Sequence, residues 1–539
     1  MEVEDQWGRG RIGVTRRYVH DRRAFDAATG DAQLVVDHGL QSDGQMSSKC
    51  GPAWHGGGVQ PNVLFITLDQ FRGDSLSCAG HPVVQTPNLD RLAAHGVRFA
   101  RHYSQAAPCA PGRASLYTGM YQMSHRVVAN GTPLDARFDN VAHAARRGGY
   151  EPALFGYTDT GIDPRLVDDP DDPRLSTYEG KLAGFDHELP LPESADAWVT
   201  WLNELGYDTS GGALELLARE NERPVEHGIS TFQTDRLIEW IERQAGPWFA
   251  HSSYLRPHPP YMAAGHFAGM YDPATLPPPV PMAGDGARHP FHDVLLGIRD
   301  AAAPADPEML GHLRAQYFGM ISEVDAQLGR LWAALERLGH WDNTVIIVTS
   351  DHGEQLGDQG LKGKVGFFDS SFHIVGIVRD PSHVDVHGTV VGEFTENVDL
   401  LPTIAEVIGI EVPAQCDGHS LMPFVRGVNC AWRTAAHYEF DWRDAFIRMG
   451  VTDRSLEERN LVVLRTRREA YVQFGDGSWR CFDLAADPTW RTEITDPARV
   501  LALAQEMLVW RQRHTDRTMT GMLLDRGGIG RRPAAVVRR

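Results

Sequence analysis

Lysine is scarce in this 539-residue chain: Lys49, Lys181, Lys362 and Lys364 are the whole complement, and arginine supplies the other basic side chains. Basic residues are also outnumbered, 52 Lys+Arg against 71 Asp+Glu, giving a formal net charge of −19. An acidic total argues against a general nucleic-acid or anionic-membrane binder, whose affinity rests on clustered positive charge. Six cysteines (Cys50, Cys78, Cys109, Cys416, Cys430, Cys481) are scattered without C-x-x-C spacing. That signals neither a disulfide framework nor a structural zinc site. No stretch reaches the roughly 18 apolar residues of a membrane span, and the first sixty residues hold no secretory apolar run. The expectation is a soluble, cytoplasmic protein. With 42% hydrophobic and 23% charged residues the composition is ordinarily globular, and the length suits two or three domains.

Three regions follow along the chain. Residues 1–58 lack periodicity and end in Gly56-Gly57-Gly58, which reads as a disordered leader, with Met46 as an alternative start. Residues 59–436 read as an α/β domain. Val63 to Leu68 and Val345 to Val348 are near-continuous apolar runs, the mark of parallel strands buried on both faces. Between them, Thr86-Pro87-Asn88 opens a helix with Thr as N-cap, and Gly96 closes it. Tyr317, Ile321, Val324, Leu328, Leu331 and Leu335 repeat at helical spacing up to Gly339. Such alternation predicts a mostly parallel central sheet flanked by helices. Residues 160–310, rich in Pro, Asp and Gly, read as loops and insertions that shape a pocket, with His251 a satisfied core histidine. Residues 437–539 read as a smaller C-terminal α+β subdomain, with a hairpin at Gly475-Asp476-Gly477 and a helix over 500–512.

In open α/β sheets, function gathers at the carboxyl ends of the strands. The first apolar run ends in Asp69-Gln70 and the later one in Ser350-Asp351-His352-Gly353-Glu354. Asp, Asp and His at two strand ends are oxygen and imidazole ligands suited to a divalent cation. Between them lies Pro108-Cys109-Ala110-Pro111-Gly112-Arg113, closed by Gly119. Pro111 suits a first helical turn, so Cys109 falls at a helix N-terminus, where unpaired N–H groups favour an anion. Arg113, one turn in, can pair with the same anion.

The C-x-P-x-R element resembles the sulfatase signature, within the alkaline phosphatase-like superfamily. The likeness runs from about residue 61 to 520 and is strongest toward the phosphonate monoester hydrolases and arylsulfatases. It is carried by Leu68-Asp69-Gln70, the segment from Gly119 to Arg126, Arg256-Pro257-His258-Pro259-Pro260, Asp351 to Asp358, and His437 to Asp441. The resemblance implies that Cys109 is oxidised to formylglycine by a formylglycine-generating enzyme. It implies one divalent metal ion, Ca2+ or Mn2+, on Asp69, Cys109, Asp351 and His352. Catalytic roles are implied for Cys109, Arg113, His258 and Lys364, and substrate contacts for Gln70, Asn130 and Tyr157. It further implies a homodimer or homotetramer. Two departures stand out: Asp159 close to Tyr157, and Val375-Gly376 where the family usually has Pro-Leu.

The chemistry can be argued separately. A sulfate ester, phosphodiester or phosphonate ester is anionic and repels an anionic nucleophile, so a divalent cation that orients both lowers the barrier. A hydrated aldehyde carries two hydroxyls on one carbon, one to attack and one to lose its proton and expel the group. Lys364 and His258 can stabilise charge or protonate the leaving oxygen. The expected activity is formylglycine- and metal-dependent hydrolysis of sulfate esters, phosphonate monoesters or phosphodiesters. A sulfatase-like protein that only binds a ligand, or a two-metal phosphatase or phosphomutase of the same superfamily, are the competing readings. The latter calls for extra Asp/His ligands and a Ser or Thr nucleophile, where this chain has Cys109.

Overall fold

The computed structural model describes residues 60–284, 288–448, 451 and 453–515, together with the backbone of 522–525 and 528–531. The leader expected over 1–58, with its alternative start at Met46, lies outside the described residues. The first strands are β1 (Asn62–Leu68), β2 (Val97–Tyr103), β3 (Ala106–Ala107), β4 (Pro152–Gly156), β5 (Asp186–Pro190) and β6 (Phe249–Tyr254). They are followed by β7 (Thr344–Thr349), β8 (His373–Ile374), β9 (Gly376–Arg379) and β10 (Thr389–Glu396). The next four are β11 (Ala435–Asp441), β12 (Asn460–Thr466), β13 (Glu469–Phe474) and β14 (Trp479–Asp483).

The larger sheet has the order β10-β2-β9-β7-β1-β6-β4-β5, with β8 added against β2. From β7 to β5 every pairing is parallel, and β9 runs antiparallel to both of its neighbours. Strand β1 lies in the middle and all seven of its residues are buried. Alternation along it feeds two separate cores. Leu64, Ile66 and Leu68 pack with the helices Pro87–Ala94, Ile229–Glu242 and Pro307–Arg337 on one face. Val63 and Phe65 pack with Cys109–Thr118, Val141–Arg147 and Leu400–Val407 on the other. A strand with an apolar core on each side has to be apolar throughout, which is why this run was visible in the sequence.

The smaller sheet, β14-β13-β12-β11-β3, is antiparallel except at β11–β3. Its hairpin falls at the expected Gly475-Asp476-Gly477, and the helix Pro497–Arg513 covers it through Val500, Leu503, Met507 and Trp510. Strand β3 sits immediately before Cys109, so this C-terminal sheet is hydrogen-bonded to the segment that leads into the helix Cys109–Thr118.

Three local readings differ from the structure. Thr86 is the N-cap residue, but its hydroxyl donates to Asp90. The helix Pro87–Ala94 is capped from outside by Asp325, whose carboxylate accepts from the Asn88 and Leu89 N–H groups at 3.1 and 2.7 Å. The interval 160–310 is more ordered than its composition suggested, with helices at Asp196–Glu204, Gly212–Ala218, Ile229–Glu242 and Pro290–Leu296 beside β5 and β6. Strand β6 (FAHSSY) is fully buried yet half polar, so an apolar-run criterion does not mark it strongly; its His and Ser side chains are paired inside. At the Val375-Gly376 departure, Val375 is buried, and a Cβ on Gly376 would lie 2.7–2.8 Å from the ring of His102. The small residue is what lets β9 pass that ring.

Gly112 governs a closer approach. It lies in the first turn of Cys109–Thr118, and a Cβ there would meet the Asp351 carbonyl oxygen at 2.6 Å and the Ala106 carbonyl oxygen at 2.9 Å. Helix propensity alone favours Ala over Gly by about 1 kcal/mol. Gly112→Ala is nonetheless expected to destabilise the protein by ~1–3 kcal/mol, because both obstacles are backbone and cannot rotate away. A lower thermal-unfolding midpoint checks this; a raised midpoint would show that the helix does not press on the Asp351 segment.

Candidate active site

Strands β1 and β7 are paired in register, Thr67 opposite Thr349, so the two residues that leave their ends together are Asp69 and Asp351. On the far side of β1, β6 pairs Tyr254 with Leu68 and runs into Arg256-Pro257-His258. Beyond it β4 ends at Gly156, ahead of Tyr157 and Asp159. Four adjacent parallel strands thus deliver their carboxyl-end residues to one place. The helix Cys109–Thr118 points its N-terminus there, with Cys109 as its first residue and Gly119 closing it at φ 69°.

Arg113 holds the acidic residues together. It is fully buried, and its Nη2 donates to Asp69 Oδ2 and its Nε to Asp351 Oδ2, both at 3.0 Å. Its Nη1 donates to Ser253 Oγ at 2.8 Å and to the Tyr157 carbonyl at 3.2 Å, and the guanidinium lies 4.5 Å from the centre of the Tyr157 ring. Asp159, whose direction the sequence did not disclose, turns inward at φ 47° and stands 3.5 Å from Arg113 Nε. The expected pairing of Arg113 with a substrate anion is corrected accordingly: its donors are committed to protein carboxylates, hydroxyls and a carbonyl. Burial dominates the acids behind it. The Asp351 carboxyl is pushed up to about 6 by burial and by Asp69, and Asp159 to about 7 by burial, against the pull of Arg113. Burial also acts to raise Asp69, but His258, Lys364 and Arg113 together hold it well below the usual carboxylate range.

Cys109 Sγ is the point of convergence. Lys364 Nζ donates to it at 2.8 Å and His352 Nε2 lies 3.3 Å away. The ligand atoms of Asp69, Cys109, Asp351 and His352 all fall within 4.8 Å of one another, and all four residues are buried. Burial and then Lys364 lower the His352 imidazole to about 3, so it is neutral; its Nδ1–H donates to the Gly353 carbonyl at 3.0 Å, leaving the Nε2 lone pair toward Cys109. Burial opposes charge on Lys364, yet Cys109, Asp69 and Asp351 keep its ammonium well above the ordinary lysine value.

This donor set fits a divalent cation. Asp69 Oδ1 and Gln70 Oε1 are buried oxygens with no hydrogen-bond partner among the described residues. A buried carboxylate oxygen left unpaired is costly, and a cation satisfies it.

Of the other residues singled out, Tyr157 donates its hydroxyl to Asp69 Oδ2 at 2.6 Å, so the structure shows it bracing a carboxylate. Asn130 Oδ1 accepts the Ala110 N–H at 3.0 Å and the residue lines the cavity in front of the site. His258 is half-buried; desolvation, then Lys364, lower its imidazole to about 4, and its Nδ1 is bonded to the Pro259 carbonyl at 2.7 Å. His125 bonds Ser115 Oγ and the Val127 N–H, a structural role, while Arg126 is exposed. His251 is a satisfied core histidine, between the Phe65 carbonyl and the Tyr117 hydroxyl. Glu354 and Tyr261 carried no role in the sequence reading. Glu354 is buried beside Gln70 and bonds both Gln70 and Tyr261; its place in the polar run that follows β7 was the available signal.

The cavity reaching Gln70, Asn130 and Lys364 has a volume of about 550 Å3, and its outer wall includes Val294, Leu295, Ile298, Phe440 and Trp442. Among the described residues no helix is long and apolar enough to cross a membrane.

Comparison with known proteins agrees with this arrangement. Residues 61–410 match the family model described as Sulfatase, and residues 357–513 match one described as N-sulphoglucosamine sulphohydrolase, C-terminal. The Multifunctional alkaline phosphatase superfamily protein PehA of Trinickia caryophylli is 36% identical over 504 residues, covering 86% of this chain and 97% of that protein. The crystal structure of the phosphonate monoester hydrolase of Agrobacterium radiobacter superposes with a TM-score of 0.81 at 41% identity, covering 88% of this chain and 99% of that one. The phosphonate monoester hydrolase SpPMH from Silicibacter pomeroyi gives the same TM-score and coverages at 36% identity. On the matched span and the relative at 36% identity, this chain belongs to the sulfatase family of the alkaline phosphatase superfamily.

Proposed function

We propose that the protein hydrolyses monoanionic phosphonate monoesters or phosphodiesters, and aryl sulfates as further substrates, with one divalent metal ion and with Cys109 converted to formylglycine. Hydrolysis of sulfate or phosphonate esters is the activity its family membership supports. The observation that carries the reading is the meeting of Lys364 Nζ and His352 Nε2 at Cys109 Sγ, inside a donor set with two unpartnered oxygens.

In this reading Asp69, Asp351, His352 and residue 109 hold the metal, Ca2+ or Mn2+, which when bound would supply Lewis-acid charge to the ester and to the nucleophile. The Sγ atom stands where the oxygen of the modified residue would be. Arg113 and Tyr157 orient Asp69, and Arg113 also orients Asp351, so neither carboxylate has to reorganise during the reaction. Lys364 keeps its proton and supplies positive charge at the nucleophile and ester. His258, with Nδ1–H engaged by the Pro259 carbonyl, keeps Nε2 unprotonated at rest, and it can protonate the leaving oxygen only after Nε2 takes up a proton. Asn130 fixes the first turn of the nucleophile helix through the Ala110 N–H and faces the substrate cavity. The apolar outer wall of that cavity suits an aryl or alkyl leaving group. Relatives named as phosphonate monoester hydrolases tilt the preference toward phosphorus esters.

Neither competing reading gains an observation. Asp159 pairs with Arg113, behind the carboxylates, so it does not project into an anion subsite. Among the described residues one cluster alone brings metal-ligand atoms within 4.8 Å, which does not favour a two-metal phosphatase. A cytoplasmic location, a formylglycine-generating partner and a dimer or tetramer complete the proposal, on the cysteine spacing and the family likeness.

Two tests follow from this. The peptide containing Cys109, from protein produced with the modifying enzyme, is expected to show the mass deficit of thiol-to-aldehyde conversion; an unmodified thiol overturns that part. In side-by-side kcat/KM measurements on a phenyl phosphonate ester, a phosphodiester and an aryl sulfate, Cys109→Ala and Asp351→Asn are expected to abolish turnover. Lys364→Ala is expected to lower it by about 10²–10³-fold, the usual cost of losing one positioned donor at developing charge. Wild-type rates in all three variants would place the site elsewhere.

A further inference from the structure

The Glu354 carboxylate accepts four hydrogen bonds. Oε1 takes the Leu356 N–H at 2.8 Å and the Gly363 N–H at 2.6 Å; Oε2 takes the Tyr261 hydroxyl at 2.9 Å and the Gln70 side-chain amide. Four is about the acceptor capacity of an ionised carboxylate, and none of these partners is a cation. A fully buried acid with no salt bridge among the described residues, saturated by neutral donors, is arranged for the direction of its hydrogen bonds.

Two of those bonds reach the site from opposite edges. On the metal side, Gln70 is fixed at three points: its N–H donates to Asp351 Oδ1 at 3.2 Å, its carbonyl accepts the Tyr317 hydroxyl at 2.8 Å, and its side chain meets Glu354. Its backbone sits at φ 70°, an uncommon region for a residue other than glycine. A carboxylate only accepts, so the Gln70 amide has to present Nε2 to Glu354 and carry Oε1 on the opposite side, where it is buried and unpartnered. A carbonyl oxygen in that place is a donor for a cation and a poor contact for an anion. The substrate-contact role expected for Gln70 from the sequence is therefore reversed in polarity. On the other edge, Gly363 is bonded twice to the segment after β7, through its N–H to Glu354 and through its carbonyl to the Gln355 N–H at 2.9 Å. The next residue is Lys364, whose Nζ lies on Cys109 Sγ.

We propose that Glu354 is a positioning residue that couples the two edges of the site: it sets the Gln70 amide with its oxygen toward the metal ligands and anchors the backbone from which Lys364 reaches the nucleophile. The coupling rests on the metal-site reading above, but it is written in hydrogen-bond polarity and can be tested without turnover. In Glu354→Gln the two backbone N–H groups claim the new carbonyl oxygen, and the new NH2 faces Gln70. Two NH2 groups cannot share that contact, so Gln70 turns its own NH2 toward the metal side. Exchanging the pair, Gln70→Glu with Glu354→Gln, restores donor to acceptor: the new carboxylate accepts from the new amide and again shows an oxygen to the metal ligands.

The experiment is calorimetric titration of Mn2+ into the chelator-treated full-length chain, run on wild type, Glu354→Gln and the exchanged double variant, with thermal unfolding followed in parallel. Glu354→Gln is expected to weaken Mn2+ binding by about 10–100-fold, the usual effect of losing an outer-shell partner, with little change in unfolding temperature. The exchanged variant is expected to recover at least the affinity lost. Unchanged Mn2+ affinity in Glu354→Gln overturns the proposal. So does a loss that the exchange fails to recover, since that would be damage unrelated to amide orientation. If wild type binds Mn2+ yet turns over none of the three ester classes, the substrate reading fails while the Glu354 outcome still stands or falls by its own titration.

Discussion

The site depends on one buried ion cluster, Arg113 set between Asp69 and Asp351 with Asp159 beside it. Removing a carboxylate from water costs several kcal/mol even after relaxation, and here two lie at the ends of adjacent strands. Parallel pairing of β1 and β7 leaves them no freedom to separate, because Thr67 and Thr349 are already locked in register. A planar guanidinium can meet one oxygen of each at 3.0 Å, which leaves Asp69 Oδ1 without a hydrogen-bond partner among the described residues. A lysine would offer one point charge where this geometry needs a fork.

The short motif around Cys109 follows from that constraint. Residues 109 and 113 are four apart, so they share one helix face, and a single rigid element delivers both the Cys109 side chain and the counter-charge. The helix must then sit close enough for Arg113 to reach both carboxylates. Gly112 permits this by leaving no side chain between the helix and the Asp351 and Ala106 carbonyls. On the other side, β3 ties the same segment to β11, and with it to the C-terminal sheet. Contacts remote from the chemistry in sequence therefore bear on where Cys109 stands.

Much of this was legible before any coordinates. Strands β1 and β7 announce themselves because a strand with a core on each face can carry only apolar residues. Gly119 marked the helix end, and the scarcity of lysine drew attention to Lys364, which does reach Cys109. What escaped reading was polarity satisfied at a distance. Strand β6 is equally buried, but His251, Ser252 and Ser253 find partners on Phe65, Gln233 and Arg113, residues distant in the chain. Arg113 looked like an anion receptor because its spacing from Cys109 is visible, whereas the three acids it meets come from three separate strand ends. Asp159 could not be oriented for the same reason. Glu354 was in view within its motif but without a role, since its meaning lies in four bonds made by Gln70, Tyr261, Leu356 and Gly363.

The charge of the whole chain and the charge of the site have different sources. A sum of −19 describes a surface rich in Asp and Glu, and by itself it discourages an anionic substrate. Inside, Asp69 and Asp351 are matched by Arg113 and Lys364, and Asp159, with its carboxyl pushed up to about 7, carries only part of a charge near neutrality. With the Glu354 carboxylate counted as well, the protein groups alone lean negative and give an anionic ester little reason to enter. A divalent cation on the two unpartnered oxygens would tip that balance positive at the place where the ester and the nucleophile must approach each other. Arg113 is already spent on the carboxylates, whereas Lys364 reaches Cys109 from the cavity wall and is placed to face the substrate. In a chain that otherwise uses arginine, a compact ammonium at that position can follow charge from nucleophile to leaving oxygen, which a guanidinium fixed in a fork cannot do.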